Sequence, residues 1–237
     1  MLIDLHAHTA GISKCCRIPA DKVVQAAKDV GLDGIVLTNH YQKDYAPDGD
    51  YAAFAARYTQ EYYLTKAHGD AQGLRVFFGI EVTMARHGGV HLLVYGVEDD
   101  FAIKHPALFD LTQKELYDLV KANGGTLIQA HPYRQGVDRM LDLSLLDGIE
   151  INCHPLYEGT HLHPLADIAA QNALLLSCGG DYHADTRRPH CGVYLPDDMQ
   201  SSKDICTYLA TAPQVTLCVQ EVEDTFSHDY VYHRTHA

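Results

Sequence analysis

Seven apolar runs alternate along the chain with stretches of helical periodicity. Continuous apolar runs are typical of parallel strands that are covered on both faces. The runs lie at residues 2–5, 34–40, 74–83, 90–96, 126–132, 148–152 and 173–177, and the predicted helices at 19–31, 51–68, 112–123, 162–172 and 201–211. This alternation predicts an α/β barrel or a doubly wound sheet.

Polar residues collect directly after the apolar runs. They are His40, Glu81, His131, Asn152, Asp181 and His183. In α/β barrels the carboxyl ends of the strands carry the chemistry. A barrel brings all of these side chains to one pit, whereas an open sheet places the first and last of them far apart. The pattern therefore favours a barrel.

Histidines two residues apart end the first run, at His6 and His8. Side chains at this spacing lie on the same face of a strand, about 7 Å apart along it. Two such imidazoles can share one metal ion or hold two adjacent ions, although a pair of buried core histidines is the alternative. Asp181 and His183 repeat the spacing near the other end of the chain, which favours a shared metal site.

The net charge and the number of cysteines indicate which classes of protein this chain can belong to. A net charge of −13 argues against a general nucleic-acid binder, whose affinity comes from Lys and Arg on phosphates. Seven cysteines, an odd number, are typical of reduced thiols in a cytoplasmic protein. No signal peptide precedes the first strand and no apolar stretch reaches about 18 residues, so we expect a soluble protein with no membrane partner.

The length of 237 residues suits one large domain. We expect a single domain over residues 1–237, with a core at about 1–220 and a C-terminal tail at 221–237. No feature of the sequence indicates an oligomeric state.

Four short motifs, each after an apolar strand, occur in a fixed order. They are Asp4-Leu5-His6-Ala7-His8-Thr9, Thr38-Asn39-His40, Ala130-His131-Pro132 and Gly180-Asp181-Tyr182-His183, with Gly79-Ile80-Glu81 and the stretch from His91 to Gly96 between them. Together they resemble the PHP family (polymerase and histidinol phosphatase) of metal-dependent phosphoesterases. The resemblance covers nearly the whole chain and implies a distorted (β/α)7 TIM-like barrel.

The resemblance also implies two or three divalent metal ions. It assigns His6, His8, Glu81 and Asp181 to the first ion, Glu81, His91 and His131 to the second, and His40 and His183 to part of a third. Mixed imidazole and carboxylate ligands suit zinc, manganese or iron better than calcium. His91 stands at the start of its apolar run rather than at the end, so its reach depends on the preceding loop.

One loop departs from the family pattern. Many members place an acid or a histidine a few residues after the His-x-His-Thr motif, but residues 10–17 contain no Asp, Glu or His. Cys15 or Cys16 is a candidate ligand for the third ion. Ordinary loop cysteines, with water completing the site, are the alternative.

The implied reaction is hydrolysis of a small phosphate monoester, as in histidinol phosphatases, by a metal-activated hydroxide. Asp181 and His183 are the predicted catalytic residues, as carriers of protons, and a role limited to positioning the metal is the alternative. Arg134 is predicted to grip a phosphate oxygen with its guanidinium fork. His154, just after the sixth run, is a candidate contact to the substrate, and an ordinary loop histidine is the alternative.

The sequence is also compatible with two other functions. One is a phosphodiesterase or exonuclease that acts on nucleotides or short nucleic-acid ends, which an acidic surface still permits. The other is a non-catalytic metal-binding module, which the incomplete third site favours. The intact candidate ligands argue against such a module; they are His6, His8, Glu81, His131 and Asp181.

Overall fold

The computed structural model describes residues 1–134, 136, 139–183, 187–222 and 224–234. Its strands are β1 Leu2–Ala7, β2 Gly34–Leu37, β3 His40–Tyr41, β4 Arg75–Met84, β5 Val90–Tyr95, β6 Thr126–Gln129, β7 Gly148–Asn152, β8 Leu175–Gly179, β9 Gly192–Tyr194, β10 Gln214–Val219 and β11 His228–His233. Seven of them lie side by side in the order β1-β2-β4-β5-β6-β7-β8, as the wall of a barrel. The predicted single-domain, distorted α/β barrel is confirmed.

The barrel is nearly closed between its first and last strands. A single parallel bridge joins Ala7 to Tyr182, and the backbone N–H of Asp181 donates to the carbonyl of His6 at 2.8 Å. A Cβ atom at Gly179 would lie 2.4 Å from the Cβ of His6. Glycine is therefore needed there for β8 to come close enough to bring Asp181 beside β1.

One strand of the barrel runs against the others. β5 is antiparallel to both β4 and β6, and a tight connection through Gly88 and Gly89, both at positive φ, joins it to β4. A hairpin replaces the strand–helix–strand crossover at this point, so the alternation read from the sequence does not hold throughout. The reversal places the start of β5 at the end of the barrel where its neighbours finish.

The last three strands extend the sheet beyond the barrel wall. β9 pairs with β1, β10 with β9, and β11 with β10, all antiparallel. β11 pairs with β10 over six residue pairs, from Gln214–His233 to Val219–His228. The segment expected to be a C-terminal tail therefore contributes a strand to the sheet.

Six α-helices lie in the described part of the chain, five of them at the predicted places, and the short helix at Phe101–Lys104 was not predicted. They are α1 Ala20–Asp29, α2 Tyr51–Gln72, α3 Phe101–Lys104, α4 Gln113–Ala122, α5 Leu162–Gln171 and α6 Ser202–Thr211, with short 3₁₀ helices at Lys43–Tyr45, Pro47–Gly49, Ala85–His87, Leu108–Asp110 and Leu143–Leu145. Capping boxes begin α4 at Thr112 and α6 at Ser201. Among the described helices, none has both the length and the apolar character needed to cross a membrane.

Candidate metal centre

Glu81 lies at the centre of a histidine cluster. It is fully buried near the end of β4. Its Oε2 is 2.6 Å from His40 Nδ1, and its Oε1 is 2.7 Å from His91 Nδ1 and 3.1 Å from His131 Nε2. Burial opposes ionisation of Glu81, but His40, His91 and His6 outweigh it and hold its pKa well below the usual range. Glu81 is therefore an ionised carboxylate shared by several imidazoles.

Asp181, which follows β8, faces His6 of β1 and His8 just beyond that strand. Its Oδ1 lies 3.3 Å from His6 Nε2 and 3.0 Å from His8 Nε2. Both nitrogens also lie 3.4 Å from Glu81 Oε2. Burial raises the pKa of Asp181, but His6 and His183 lower it more, so that it falls well below its usual value. These atoms form one compact donor set at the ends of β1, β4 and β8.

The protonation of His8 is fixed by a chain of hydrogen bonds. The backbone N–H of Thr9 donates to Asn39 Oδ1, which identifies that atom as the amide oxygen, and Ser13 Oγ donates its only proton to the same oxygen. His8 Nδ1, 3.0 Å from Ser13 Oγ, must therefore be the donor in that contact. The remaining nitrogen, Nε2, carries no proton in the neutral ring and points into the donor set.

Burial and the neighbouring His183 and His40 lower the pKa of His8 well below its usual value, so the ring is neutral. The bare lone pair of His8 Nε2 then faces Asp181 Oδ1 at 3.0 Å. Neither atom makes a hydrogen bond within the described part of the chain. Two buried lone pairs at this distance repel each other unless a cation lies beside both. The donor set thus fits a metal ion.

His6 is oriented in the same way by Glu150. A carboxylate oxygen of Glu150 lies 2.8 Å from His6 Nδ1 and accepts a hydrogen bond from its N–H group. This leaves His6 Nε2 directed at Asp181 and Glu81. In the metal-free chain burial lowers the pKa of His6, but the three surrounding carboxylates raise it well above its usual value. A proton then takes the place that a metal ion would fill, and a cation is needed in either state.

Three overlapping groups of side chains bring donor atoms within 4.8 Å of one another. They are the group His6, His8, Glu81 and Asp181, the group His40, Glu81 and His91, and the group His8, His40 and His183. The first matches the predicted first site. The second group contains His40 where the prediction had His131, although His131 Nε2 lies 3.1 Å from Glu81 Oε1. The third group contains His8 in addition to the predicted His40 and His183. The structure thus gathers all eight predicted ligands in one place.

His91 reaches the cluster because its strand is reversed. In antiparallel β5 the first residues lie beside the last residues of β4, and His91 pairs with Thr83, two residues after Glu81. Its position at the start of an apolar run is therefore what this direction of the strand requires. A parallel strand would have carried His91 to the far end of the barrel.

The two candidate cysteines occupy different environments. Partial burial raises the pKa of the Cys15 thiol, but hydrogen bonds to His183 and His40 lower it more, to about 6. Cys16 is buried, and its thiol donates to the carbonyl of Ile18 at 3.7 Å. Of the two thiols, Cys15 is the one placed beside the third group of ligands.

Two candidate ligands have unusual backbone conformations. His131 has a φ of 29° and Asp181 a φ of 48°. Side chains other than glycine rarely adopt this region, at a cost of about 1–3 kcal/mol each. Each residue lies two positions after the last residue of a strand, His131 after β6 and Asp181 after β8. The fold thus stores strain where the ligands converge.

A pocket of about 650 Å³ opens beside the cluster. His131 and Glu150 line its inner end, and Arg134, Tyr157 and Thr160 line its wall. The guanidinium of Arg134 lies 4.8 Å from the centre of the Tyr157 ring. Pockets of this size suit small molecules.

Tyr157 connects the pocket to the metal ligands. Its hydroxyl donates to Asp181 Oδ2 at 2.6 Å, and its ring stacks on His154, with 4.3 Å between the ring centres. His154 Nδ1 accepts from the backbone N–H of Leu156, so the proton of the neutral ring is on Nε2. Burial lowers the pKa of His154 to about 4, with Asp181 opposing the change. His154 is therefore a neutral hydrogen-bond donor at the site.

Sequence reasoning did not identify three residues that hold the ligands in place, namely Glu150, Ser13 and Tyr157. Glu150 had a signal, because an acidic residue stands among apolar neighbours in β7 and is fully buried. It also accepts from the backbone N–H of His131 at 2.9 Å. Ser13 and Tyr157 lie in loops, where no periodic pattern marks a side chain that faces the site.

No family model matches this chain, and no curated protein matches its sequence. Solved structures match it in fold. PsfC from Pseudomonas syringae aligns over 86% of this chain and 86% of its own, with a TM-score of 0.62 and 20% identity. A suggested metal-dependent phosphoesterase from Bifidobacterium adolescentis aligns over 87% of this chain and 94% of its own, with a TM-score of 0.54 and 16% identity.

An amidohydrolase from Chromobacterium violaceum, solved with sulfate and without metal, also matches. It aligns over 88% of this chain and 96% of its own, with a TM-score of 0.52 and 17% identity. At identities this low, the matches show the α/β barrel fold alone. The side-chain geometry, not these matches, indicates the metal centre.

Proposed function

We propose that this chain is a metal-dependent phosphoesterase of the PHP type that hydrolyses a small phosphate monoester. The observation that carries the metal dependence is the contact between His8 Nε2 and Asp181 Oδ1, two unprotonated buried atoms 3.0 Å apart. The motif resemblance supports the phosphoesterase class, and so does the presence of three overlapping donor groups.

The donor set indicates which ions would bind and what they supply. His6, His8, Glu81 and Asp181 would hold one ion, and Glu81 would be shared with a second. Imidazole and carboxylate donors without thiolate suit zinc, manganese or iron. Adjacent divalent ions neutralise the charge on a phosphoryl group and lower the pKa of bound water.

The protein side chains would bind and orient the ester. Arg134 stands at the pocket wall and would bind a phosphate oxygen through two N–H groups. His154, which carries its proton on Nε2, would donate to a second oxygen or to the departing alcohol. His183, whose Nδ1 lies 3.1 Å from Asp181 Oδ1, and Asp181 itself are the proposed carriers of the proton.

The size and charge of the molecule favour a small substrate. The pocket holds about 650 Å³, and the chain carries a net charge of −13, which repels long nucleic acid. A mononucleotide, a sugar phosphate or an amino-alcohol phosphate such as histidinol phosphate would fit the pocket. Among these, the lining residues favour a substrate with polar groups beyond the phosphate, because Glu158, Thr160 and His161 face the same cavity.

Hydrolysis of a substrate panel tests the proposal, with release of phosphate measured for the monoesters, of alcohol for the diester and of amine for the amide. Metal-free protein is reconstituted with Mn²⁺, Zn²⁺ or Fe²⁺ and given histidinol phosphate, sugar phosphates, nucleoside monophosphates, a phosphodiester and an N-acyl amide. We expect metal-dependent hydrolysis of a monoester that falls more than about 100-fold in Glu81→Gln, because the shared ligand is lost.

Glu98→Gln is the matched control, because Glu98 is exposed and lies away from the cluster. Its activity should equal that of the wild type. Hydrolysis of the diester alone, or of the amide alone, contradicts the monoester proposal. Absence of any hydrolysis by fully loaded protein contradicts the assignment as an enzyme.

A further inference from the structure

Three buried cysteines meet on the outer side of the barrel wall. Cys153 follows β7, Cys178 lies in β8, and Cys191 precedes β9. Their exposed fractions are 1%, 0% and 0%. The three Sγ atoms lie within 4.8 Å of one another, and those of Cys153 and Cys178 are 3.8 Å apart. Segments distant in sequence thus bring three thiols to one point.

The cluster is separate from the histidine–carboxylate centre. Cys178 pairs with Ile151 across β7 and β8, whereas the neighbouring pair of Asn152 and Gly179 belongs to the opposite face of the sheet. That opposite face carries Gly179 against the β1 histidine His6. The thiols therefore point away from the barrel interior, towards β9 and β10.

The spacing of the thiols is that of ligands around one ion. Metal–sulfur bonds of about 2.3 Å place two sulfurs of a tetrahedral or trigonal site about 3.8–4.0 Å apart. The Sγ atoms of Cys153 and Cys178 are 3.8 Å apart, which agrees with this range, and the Cys191 Sγ lies within 4.8 Å of both. All three thiols are free of disulfide bonds.

The Cys153 thiol ionises more readily than an ordinary cysteine. Hydrogen bonding with Cys178 and Cys191 lowers the pKa of Cys153 to about 5, against the opposing effect of burial. The backbone N–H of Gln220 also hydrogen-bonds to this sulfur and lowers its pKa further. A buried anion stabilised in this way attracts a cation.

We propose that Cys153, Cys178 and Cys191 bind one soft metal ion, Cu(I), as a buried trithiolate site. Thiolate ligands select soft ions such as Cu(I). A structural zinc site has four donors, and among the described residues no fourth His, Cys, Asp or Glu joins this group. Three donors in a closed, dry site suit an ion with a low coordination number. The inference does not depend on the proposed phosphoesterase function.

The binding step requires no oxidant or reductant. The two thiols that are protonated lose their protons to solvent, and each sulfur donates a lone pair to the ion. Copper supplied as Cu(I) keeps its oxidation state throughout. The ion would join β7, β8 and the segment before β9, and so tie the barrel wall to the strands that extend the sheet.

Anaerobic titration with Cu(I) tests the proposal. The histidine centre is first loaded with Mn²⁺, and Cu(I) is then added as its bicinchoninate chelate. We expect the protein to retain one equivalent of copper and to show a sulfur-to-copper charge-transfer band in the ultraviolet. No retained copper, or no band, overturns the proposal.

Variants identify the sulfurs involved. Cys178→Ala and Cys191→Ala should each lose the band. Cys206→Ala, which removes a buried cysteine outside the cluster, and Cys15→Ala, which removes the thiol beside the histidines, should both keep it. A band that persists in both cluster variants overturns the proposal.

X-ray absorption on the wild-type protein keeps the test independent of variants that fail to fold. Three sulfur neighbours around copper are expected. Nitrogen or oxygen neighbours in place of sulfur would assign the copper to the histidine centre and overturn the trithiolate site.

Discussion

Glu150 accepts a hydrogen bond from His6 Nδ1 at 2.8 Å and thereby directs His6 Nε2 at the carboxylates of Asp181 and Glu81. The same side chain accepts from the backbone N–H of His131, so one buried acid orients ligands from two strands. Partners of this kind usually change metal affinity or activity by about 10–100-fold when they are removed. The candidate centre therefore depends on residues that do not themselves face the ion.

Replacement of Glu150 with Gln tests this dependence. The amide is uncharged and is a weaker acceptor for His6, so we expect Mn²⁺ affinity to fall about 10–100-fold. Calorimetric titration of metal-free protein measures the change. Glu98→Gln serves as the control and should bind as the wild type does. Equal affinity in Glu150→Gln would show that His6 needs no carboxylate partner.

Ser13→Ala removes the acceptor for His8 Nδ1 and for the backbone N–H of His40. Leaving buried donors unpaired costs about 1–3 kcal/mol. We expect the free energy of unfolding of the metal-free protein, measured in urea, to fall by about this amount. Metal affinity should also fall, because His8 loses its fixed proton position.

Ser177→Ala is the matched control for that variant. Ser177 is also fully buried, but its Oγ makes no hydrogen bond within the described residues. Its replacement should leave the free energy of unfolding nearly unchanged. A similar loss in both serine variants would mean that the Ser13 hydrogen bonds contribute nothing beyond packing.

Tyr157→Phe removes the hydroxyl that donates to Asp181 Oδ2. The ring, its stacking on His154 and its contact with Arg134 remain. We expect kcat of the loaded enzyme to fall about 10-fold or more, with a smaller change in KM, because the hydroxyl positions a metal ligand and does not bind the substrate directly. An increase confined to KM would instead place Tyr157 among the substrate contacts. Tyr117→Phe, on α4, should leave both constants unchanged.

Metal binding should depend on pH above neutrality. In the metal-free chain burial lowers the pKa of His40, but Glu81 raises it to about 9. Burial likewise lowers the pKa of His183, but Asp181 raises it to about 11. An imidazole is protonated when the pH is below its pKa, so a metal ion must displace protons from these histidines to bind at neutral pH. Affinity should therefore rise as the pH increases from about 7 to 9. Calorimetry in buffers of different ionisation enthalpy should detect released protons, and a binding enthalpy that is the same in all buffers would contradict this.

The structure confirms the predicted barrel and brings the eight candidate ligands together. Local patterns predicted the barrel, and the motif resemblance assigned the ligands. Apolar runs marked the seven barrel strands, and His6, His8, Asp181 and His183 followed them at strand spacing. The reversal of β5 left no such mark, since an apolar run does not show its direction. β9, β10 and β11 were not predicted; β9 has only three residues, and β11 is largely exposed. Without those strands the C-terminal segment was taken for a tail.

The residues around the ligands were harder to predict. Which nitrogen of His8 faces the ion depends on Ser13, Asn39 and Thr9, which come from three loops or strand ends and meet only in the folded chain. The Cys153–Cys178–Cys191 cluster likewise exists only through the pairing of β7 with β8. Tertiary contacts of this kind cannot be read from spacing in a single sequence.

The stoichiometry of Mn²⁺ bound to the purified chain tests the central claim most directly. Equilibrium dialysis followed by elemental analysis should find at least two ions per chain in the wild type. The count should fall by at least one in Glu81→Gln and stay unchanged in Glu98→Gln. A wild-type chain that binds no Mn²⁺, Zn²⁺ or Fe²⁺ while it remains folded would contradict the account, because the facing lone pairs of His8 and Asp181 would then need no metal.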